Sequence, residues 1–270
     1  SINGVLYSYD LSTLIKYPEG KIESLFTIPY GVSNIGKYAF HVANNLISVV
    51  VPNTVTTISN EAFSATSSLR TITFEENSQL SRIDSYAFAY TSSLASILIP
   101  NSVTIIESGA FYEATGLTSI TFEEGSQLQT LGSAVFSRAS NLLSITIPNS
   151  VTWMGEGVFS GASSLTTAVL PEGITVIRGG TFYAASSLET IVIPANVSII
   201  FSGAFNGASS LTAINVSEGN NFYKSINGVL YSYDLSTLIK YPEGKTELSF
   251  IIPNSVTNIE AFAFYGPSHL

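Results

Sequence analysis

A single phenylalanine recurs along this chain at intervals of 23 or 25 residues, and a leucine follows each one six residues later. The two series are Phe40, Phe63, Phe88, Phe111, Phe136, Phe159, Phe182 and Phe205, and Leu46, Leu69, Leu94, Leu117, Leu142, Leu165, Leu188 and Leu211. A period in this range that keeps two residue types in step is typical of a solenoid of stacked, near-identical coils. A lone coil buries too little apolar surface to fold, so the coils must stabilise one another.

Each coil contains the same order of local patterns. After Leu142, the apolar residues Ile145 and Ile147 alternate with polar ones, which predicts a short strand with one buried face. Pro148 ends that strand, because proline cannot donate a hydrogen bond to a sheet. The stretch 59–63 begins with serine, a common helix N-cap, and predicts a short helical turn. The fold class is therefore predicted as an α/β solenoid with a parallel sheet and an internal column of phenylalanines.

Composition narrows the classes of function. The 270 residues have a formal net charge of −9 and a pI near 4.6, so the chain lacks the basic face that nucleic-acid binding requires. No apolar run reaches the roughly 18 residues that span a bilayer, so no membrane insertion is expected. The chain has no cysteine, which excludes disulfides, thiolate metal ligands and thiol catalysis.

Two coils are two residues longer than the others and contain an acidic loop where the others have proline. The loops run from Glu75 to Gln79 and from Glu123 to Gln127. Their carboxylates could bind a cation such as calcium, but the alternating Asp and Asn ligands of known calcium loops are missing. A solvated loop is the favoured interpretation, and the sequence predicts neither a metal site nor a cofactor.

A second module interrupts the repeat and occurs twice. Residues 1–21 recur without a change at 225–245. Asn227-Gly228 lies between two strand-like runs and predicts a hairpin turn, and a third run follows at 238–241. We divide the chain into a partial hairpin module (1–21), a solenoid (22–216), a β-meander (217–247) and a further coil (248–270), within one continuous unit. Both ends are expected to be cuts through a longer array.

Tyrosine is concentrated in the two copies of this module. The copies contain Tyr7, Tyr9, Tyr17, Tyr231, Tyr233 and Tyr241. Tyrosine is favoured at binding surfaces because it offers a large contact area and a hydrogen bond at little entropic cost. These six residues are candidate ligand contacts. The alternative is that the thin meander uses them to cover its own face.

The repeat pattern resembles the BspA-like leucine-rich repeat, the Treponema pallidum class. The segment Ile-Pro-Asn-Ser-Val at 99–103, followed by Ile106 and by Ala110-Phe111, matches that repeat closely. The resemblance implies a curved solenoid with the parallel sheet on its concave face and short helical turns on the convex side. It also implies an extracellular or cell-surface location and adhesion to host or microbial surfaces. Many such repeats have a cysteine three residues after the phenylalanine, where this chain has alanine or threonine.

On a concave sheet, the third and fifth residues of each coil would face outward. The hydroxyl-bearing candidates at these positions are Ser48, Thr71, Thr73, Ser119, Thr121, Ser144, Thr146 and Thr167. An uncharged, shallow strip of this kind suits an extended protein or glycan ligand better than a small ionic substrate. The alternative is that ladders of Ser and Thr only stabilise the sheet. Trp153, next to the core residue Met154, is a further candidate contact.

The sequence contains no catalytic constellation. His41 and His269 fall far apart in the array, and a solenoid keeps distant coils apart, so no nucleophile–histidine–carboxylate set is expected. We interpret the chain as a non-enzymatic binding protein, an adhesin segment with an extracellular protein or glycan ligand. The alternatives are a structural spacer without its own ligand, and end-to-end self-association through exposed strand edges.

Overall fold

The computed structural model describes residues 1–266, so His269 and Leu270, at the end of the predicted final coil, lie outside the described residues. Within this range the chain winds through stacked coils, and nearly every coil contributes one strand to each of two sides. We call the side with strands of three or four residues the major sheet. The side with strands of two residues is the minor sheet.

The strands alternate between the two sheets along the chain. The major sheet contains β3 (Leu25–Thr27), β5 (Ser48–Val51), β7 (Thr71–Phe74), β9 (Ser96–Ile99), β11 (Ser119–Phe122), β13 (Ser144–Thr146), β15 (Thr167–Val169), β17 (Thr190–Ile193) and β19 (Ala213–Val216). The minor sheet contains β4 (Asn34–Ile35), β6 (Thr57–Ile58), β8 (Arg82–Ile83), β10 (Ile105–Ile106), β12 (Thr130–Leu131), β14 (Trp153–Met154), β16 (Val176–Ile177), β18 (Ile199–Ile200) and β23 (Asn258–Ile259). The hairpin modules contain β1 (Leu6–Tyr7), β2 (Thr13–Lys16), β20 (Tyr223–Ile226), β21 (Val229–Ser232) and β22 (Thr237–Lys240).

Strands of neighbouring coils that pair do so in parallel, with equal positions side by side. The hydrogen-bonded groups of the major sheet are β3–β5–β7, β9–β11–β13–β15 and β17–β19, and those of the minor sheet are β4 to β14 and β16–β18. In the major sheet, β11 lies against β9 with Ser119 beside Ser96 and Ile120 beside Ile97. The two isoleucines are buried, whereas the positions that alternate with them face outward. A slip of one residue would exchange the buried and the outward positions, so burial of one face holds this register.

The corner that precedes each phenylalanine is not helical. Residues 1–266 contain no helix, and the short helical turn predicted at 59–63 is wrong. Glu61 and Ala65 both have a left-handed φ of 55°, two residues before and two residues after Phe63. The N–H of Phe63 donates to the carbonyl of Ala87 in the next coil at 2.8 Å, and not to a carbonyl four residues earlier. The corners therefore form a hydrogen-bonded ladder between coils, which replaces the bonds inside a helix.

The phenylalanine series forms a column through the core. Successive rings from Phe40 to Phe205 are stacked, with centroid separations between 4.7 and 5.8 Å and interplanar angles of at most 18°. All eight rings are buried, in one apolar cluster that extends from Val5 to Leu230. Burial of such a ring contributes about 1.5–3 kcal/mol of transfer free energy. That contribution requires a neighbouring coil on each side, which explains why the coils stack.

The second module joins the solenoid through its last strand. β20, β21 and β22 form an antiparallel meander. Asn227 and Gly228 have left-handed φ angles of 51° and 80°, as a tight two-residue hairpin turn requires. β22 then pairs in parallel with β23, and β2 of the first module pairs in the same way with β4. The last strand of each module therefore takes the place of a minor-sheet strand.

Candidate functional site

Eight hydroxyl-bearing candidates occupy outward positions of the major sheet, and we call them the hydroxyl face, while the exposed apolar residues Leu98, Val169 and Val192 occupy other outward positions of the same sheet. It comprises Ser48, Thr71, Thr73, Ser119, Thr121, Ser144, Thr146 and Thr167. All eight side chains lie on the outer side of β5, β7, β11, β13 and β15, exposed or half-buried. The register places Ser144 between Ser119 and Thr167, so hydroxyls from successive coils follow one another in rows.

The hydroxyls of this face have no hydrogen-bond partner within residues 1–266, in contrast to those one position earlier in the coil. Thr118 donates to the carbonyl of Ala95 and Thr166 to that of Leu143, each at 3.0 Å. The side-chain hydrogen bonds that join neighbouring coils therefore come from this earlier position. The hydroxyl face keeps its donors and acceptors available to a ligand.

Two depressions lie on the hydroxyl face. The larger has a volume of about 590 Å³ along β11 and β13 and the loops that follow them, and the smaller has about 270 Å³ along β7 and β9. Ser119, Thr121, Ser144 and Thr146 line the larger depression, and Thr71 and Thr73 line the smaller one. Ser48 and Thr167 lie on the face but outside both depressions.

Several other lining residues were not among the candidates from the sequence. Glu123 lines both depressions, Phe122 the larger and Arg70 the smaller. Glu123 begins the acidic loop at 123–127, which widens its coil at the end of β11. The change of spacing from 23 to 25 residues is the sequence signal that could have located this wall, because binding residues concentrate on loops beside a rigid sheet.

The acidic loops also bind their neighbouring coils. The N–H of Asn53 donates to Glu75 Oε2 at 3.3 Å, and the N–H of Asn101 donates to Glu123 Oε2 at 3.0 Å. In the part of the chain that the structure describes, no three or more His, Asp or Glu side chains are grouped to hold a metal ion. His41 packs edge-on against Tyr38, with ring centroids 5.4 Å apart.

The structure divides the six candidate tyrosines into buried and exposed residues. Four of them are core residues, and their selection as ligand contacts is corrected: Tyr7, Tyr17, Tyr231 and Tyr241. Burial raises the pKa of all four phenols. Tyr9 and Tyr233 remain exposed, the latter with the ammonium of Lys224 at 4.1 Å from its ring centroid.

Tyr241 is buried because it occupies the phenylalanine position of its coil. Its N–H donates to the carbonyl of Ala263 at 2.8 Å, and its ring stacks on Phe264 at a centroid distance of 5.6 Å. Tyr17 lies in the same way beside Phe40, with ring centroids 5.2 Å apart. Tyr17 and Tyr241 therefore extend the column and are buried in it.

Trp153 lies apart from the hydroxyl face. It is on the outer side of β14 in the minor sheet, and the guanidinium of Arg178 lies 5.2 Å from its ring centroid. The Arg178 Nε also donates to the carbonyl of Met154 at 2.9 Å, which holds the cation over the indole. Trp153 and the hydroxyl face thus belong to different sides of the solenoid.

Stacked coils with a parallel sheet of short strands, an internal phenylalanine column and no helix in residues 1–266 define a leucine-rich repeat solenoid. A profile of the BspA type leucine rich repeat region matches the chain in six copies, over residues 17–130 and 117–237. The chain belongs to the BspA type leucine-rich repeat family. No curated protein matches it.

Solved structures of bacterial leucine-rich repeat proteins share this fold. A leucine rich cell surface protein from Faecalibacterium prausnitzii A2-165 is 32% identical with a TM-score of 0.70, and the match covers 98% of this chain and 66% of that protein. A leucine-rich repeat protein from Bacteroides ovatus ATCC 8483 is 21% identical with a TM-score of 0.60, over 98% of this chain and 83% of that one. The T. pallidum leucine rich repeat protein is 24% identical with a TM-score of 0.51, over 77% and 86%. Residues 1–266 include no helix with the length and hydropathy to cross a membrane.

Proposed function

We propose that the chain is a non-enzymatic binding segment of an extracellular or cell-surface adhesin, and that it attaches to a protein or glycan through the hydroxyl face. The larger depression carries this proposal, because four outward hydroxyls line it and have no partner within residues 1–266. The similarity to a cell surface protein of F. prausnitzii supports the location.

The chemistry of the face favours an extended, neutral ligand. The hydroxyls recur from strand to strand at the spacing of a parallel sheet, about 4.8 Å, and each one both donates and accepts. Phe122 adds an apolar surface to the larger depression. Glu123 is the charged residue among its lining side chains, so a polyanionic ligand would be repelled. Host-matrix proteins, mucins and uncharged glycans fit these conditions.

The test is attachment of the purified chain to an array of matrix proteins, mucins and glycans. The test variant is Thr121→Lys with Thr146→Lys, which places two bulky cations in the larger depression. The matched control is Thr152→Lys with Thr175→Lys, two exposed threonines that do not line either depression. Circular dichroism before binding confirms that both variants fold.

We expect saturable attachment of the parent and of the control, and a loss of about tenfold or more for the test variant. Equal attachment of both variants would place the ligand elsewhere, with the exposed Tyr9, Tyr233 and Trp153 as the next residues to substitute. Failure of the parent to attach to any ligand would favour a structural spacer. A mass that rises with concentration in light scattering would indicate self-association.

A further inference from the structure

The coil that contains Tyr241 has a shortened corner. In the regular coils the phenylalanine follows the last minor-sheet residue five positions later, as Phe205 follows Ile200 and Phe264 follows Ile259. Leu238 takes that minor-sheet position in β22, and Tyr241 follows only three residues later. Two corner residues are therefore missing between two complete corners, and a cavity of about 220 Å³ takes their place.

We call this cavity the corner notch. One wall is the complete corner 200–206, and the opposite wall is the complete corner 260–262. Ile239 and Lys240 of the shortened corner form its floor. Phe201 and Phe262 lie one on each wall, 49% and 53% exposed, so aromatic side chains flank the mouth on both sides.

The notch interrupts the hydrogen-bonded ladder of the corners. Phe182 donates its N–H to Ala204 at 2.8 Å, and each of the preceding phenylalanines has an equivalent bond. The N–H of Phe205 has no acceptor within residues 1–266, and the N–H of Gly203 has none either, as is also the case for its counterpart Gly180 in the preceding coil. Both groups belong to residues that line the notch. Phe205 is buried and Gly203 half-buried, and a donor withdrawn from water without a partner is unfavourable, so an acceptor in the notch would be favoured.

The next donor of the same ladder shows that a substitute acceptor is used where one is present. The N–H of Gly207 donates to Glu243 Oε1 at 2.8 Å, where a regular coil would offer a main-chain carbonyl. Glu243 also pairs with Lys240, whose ammonium reaches the carbonyls of Phe262 and Tyr265 at 3.3 and 3.0 Å. Each of these groups has a partner, whereas the N–H groups of Gly203 and Phe205 are donors of this corner that have no acceptor within residues 1–266.

The spacing of these donors selects the chemistry of a ligand. Elsewhere in the ladder, donors two residues apart bond to carbonyls two residues apart, as Gly157 to Gly179 and Phe159 to Thr181 at 3.1 and 2.9 Å. A peptide main chain repeats its carbonyls in this way, whereas the oxygens of a simple anion are bonded to one atom and lie too close together to match donors two residues apart. The charge also disfavours an anion, because Lys240 is already paired with Glu243 and the other charged lining residue is Glu260.

We propose that the corner notch binds a short, uncharged peptide segment of a partner protein, which fills the missing corner. Two carbonyls of the segment accept from the N–H groups of Gly203 and Phe205, and its side chains lie between Phe201 and Phe262. This is an addition to an open ladder of the kind that adds a strand to a sheet edge. The site is separate from the hydroxyl face and does not depend on it.

The probe is acetyl-Ser-Gly-Ala-amide, which reproduces the corner sequence of residues 202–204 without charges. It is titrated into the ¹⁵N-labelled chain and followed by NMR, with sodium acetate as a second titrant. We expect saturable shifts of the Gly203 and Phe205 amides with a dissociation constant in the millimolar range, as for other ligands of this size. We also expect slower hydrogen exchange of the Phe205 amide at saturation.

Two variants make the test specific. Phe262→Ala should weaken the probe about fivefold or more, because it removes one side of the mouth. Phe222→Ala replaces a similarly exposed ring that does not line the notch, and should leave the affinity unchanged. The proposal is overturned if the two amides do not shift, if acetate shifts them as much as the peptide does, or if both variants weaken the probe equally.

Discussion

Lys240 and Lys16 occupy the same position in two identical sequences of 21 residues, yet only Lys240 is buried. The Lys240 side chain is 5% exposed and that of Lys16 is 35% exposed, although each pairs with a glutamate at 3.1 Å. Asn206 in the coil before the second module lies 3.4 Å from the Lys240 ammonium, whereas Lys16 has no coil on that side within residues 1–266. Burial lowers the pKa of Lys240, and Glu243 opposes that effect.

The two copies allow a matched prediction at the scale of one residue. We expect Glu243→Ala to lower the free energy of unfolding by about 3 kcal/mol or more, because it leaves a buried ammonium without its carboxylate and Gly207 without an acceptor. Glu19→Ala removes the same side chain from an exposed pair and should cost less than about 1 kcal/mol. Urea denaturation measures both values. Similar losses for the two variants would contradict the argument from burial.

The inter-coil ladder also requires particular backbone angles at single corner positions. Tyr86 and Tyr90 have left-handed φ angles of 58° and 61°, at positions where other coils place Gly157 and Gly161. This conformation costs a non-glycine residue about 1–2 kcal/mol. The corner tolerates this cost because the inter-coil hydrogen bonds require the backbone to turn in this way at each coil.

At the scale of the element, the unit of stability is the coil together with its neighbours. A corner offers its N–H groups to the next coil, and a strand offers its hydrogen bonds to the strands on both sides. The helix predicted at 59–63 would have satisfied these groups within one coil and left the neighbours without partners. Since buried main-chain groups are almost always paired, the inter-coil ladder is the arrangement that suits a stack.

The phenylalanine column contains the positions at which we expect a substitution to lower the free energy of unfolding most. We expect Phe111→Ala to destabilise the chain by about 3–5 kcal/mol, because the ring is buried between Phe88 and Phe136 and its loss leaves a cavity. Tyr183→Ala, at an exposed corner position, should cost less than about 1 kcal/mol. Equilibrium unfolding in urea, followed by circular dichroism, measures both. A loss below about 1 kcal/mol for the phenylalanine variant would show that neighbouring coils close over the gap.

At the scale of the whole molecule, the core has two parts. The main cluster extends from Val5 to Leu230, and a small second cluster contains Val229, Tyr231, Leu238, Tyr241 and Ala263. The corner notch lies at the boundary, and the ring stacking of the column is interrupted there, between Phe205 and Tyr241. The strands of the second module pair with one another and with β23, and not with the strands of the coil before it, although Leu230 of the module belongs to the main cluster.

This division predicts two levels of stability within one chain. We expect the amides of residues 229–264 to exchange through an opening of lower free energy than those of 46–211, because fewer apolar side chains hold them. Hydrogen exchange at increasing urea, read by mass spectrometry, separates the two groups. A single opening free energy shared by both segments would mean that the two parts of the core open as one unit.

The alternation in the strands and the phenylalanine column were predictable, because they repeat with the coil. Ile145 and Ile147 are buried as their spacing predicted, and the rings of the column stack in sequence order. The tyrosines of the second module were not predictable in this way. Tyr241 follows Leu238 by three residues and not five, so the sequence pattern does not show that it replaces a phenylalanine.

The sequence by itself determined the period, the parallel stacking and the family. Every coil makes the same contacts with its neighbours, so the same residue types recur at the same positions of each coil. The tertiary structure decided the features that depend on the neighbouring coil. These features are the left-handed corners, the burial of Tyr241 and the corner notch. The modules at 1–21 and 225–245 show the physical reason. Identical sequences form the same local pairing, but burial and hydrogen bonding at their surfaces depend on the coil that packs against them.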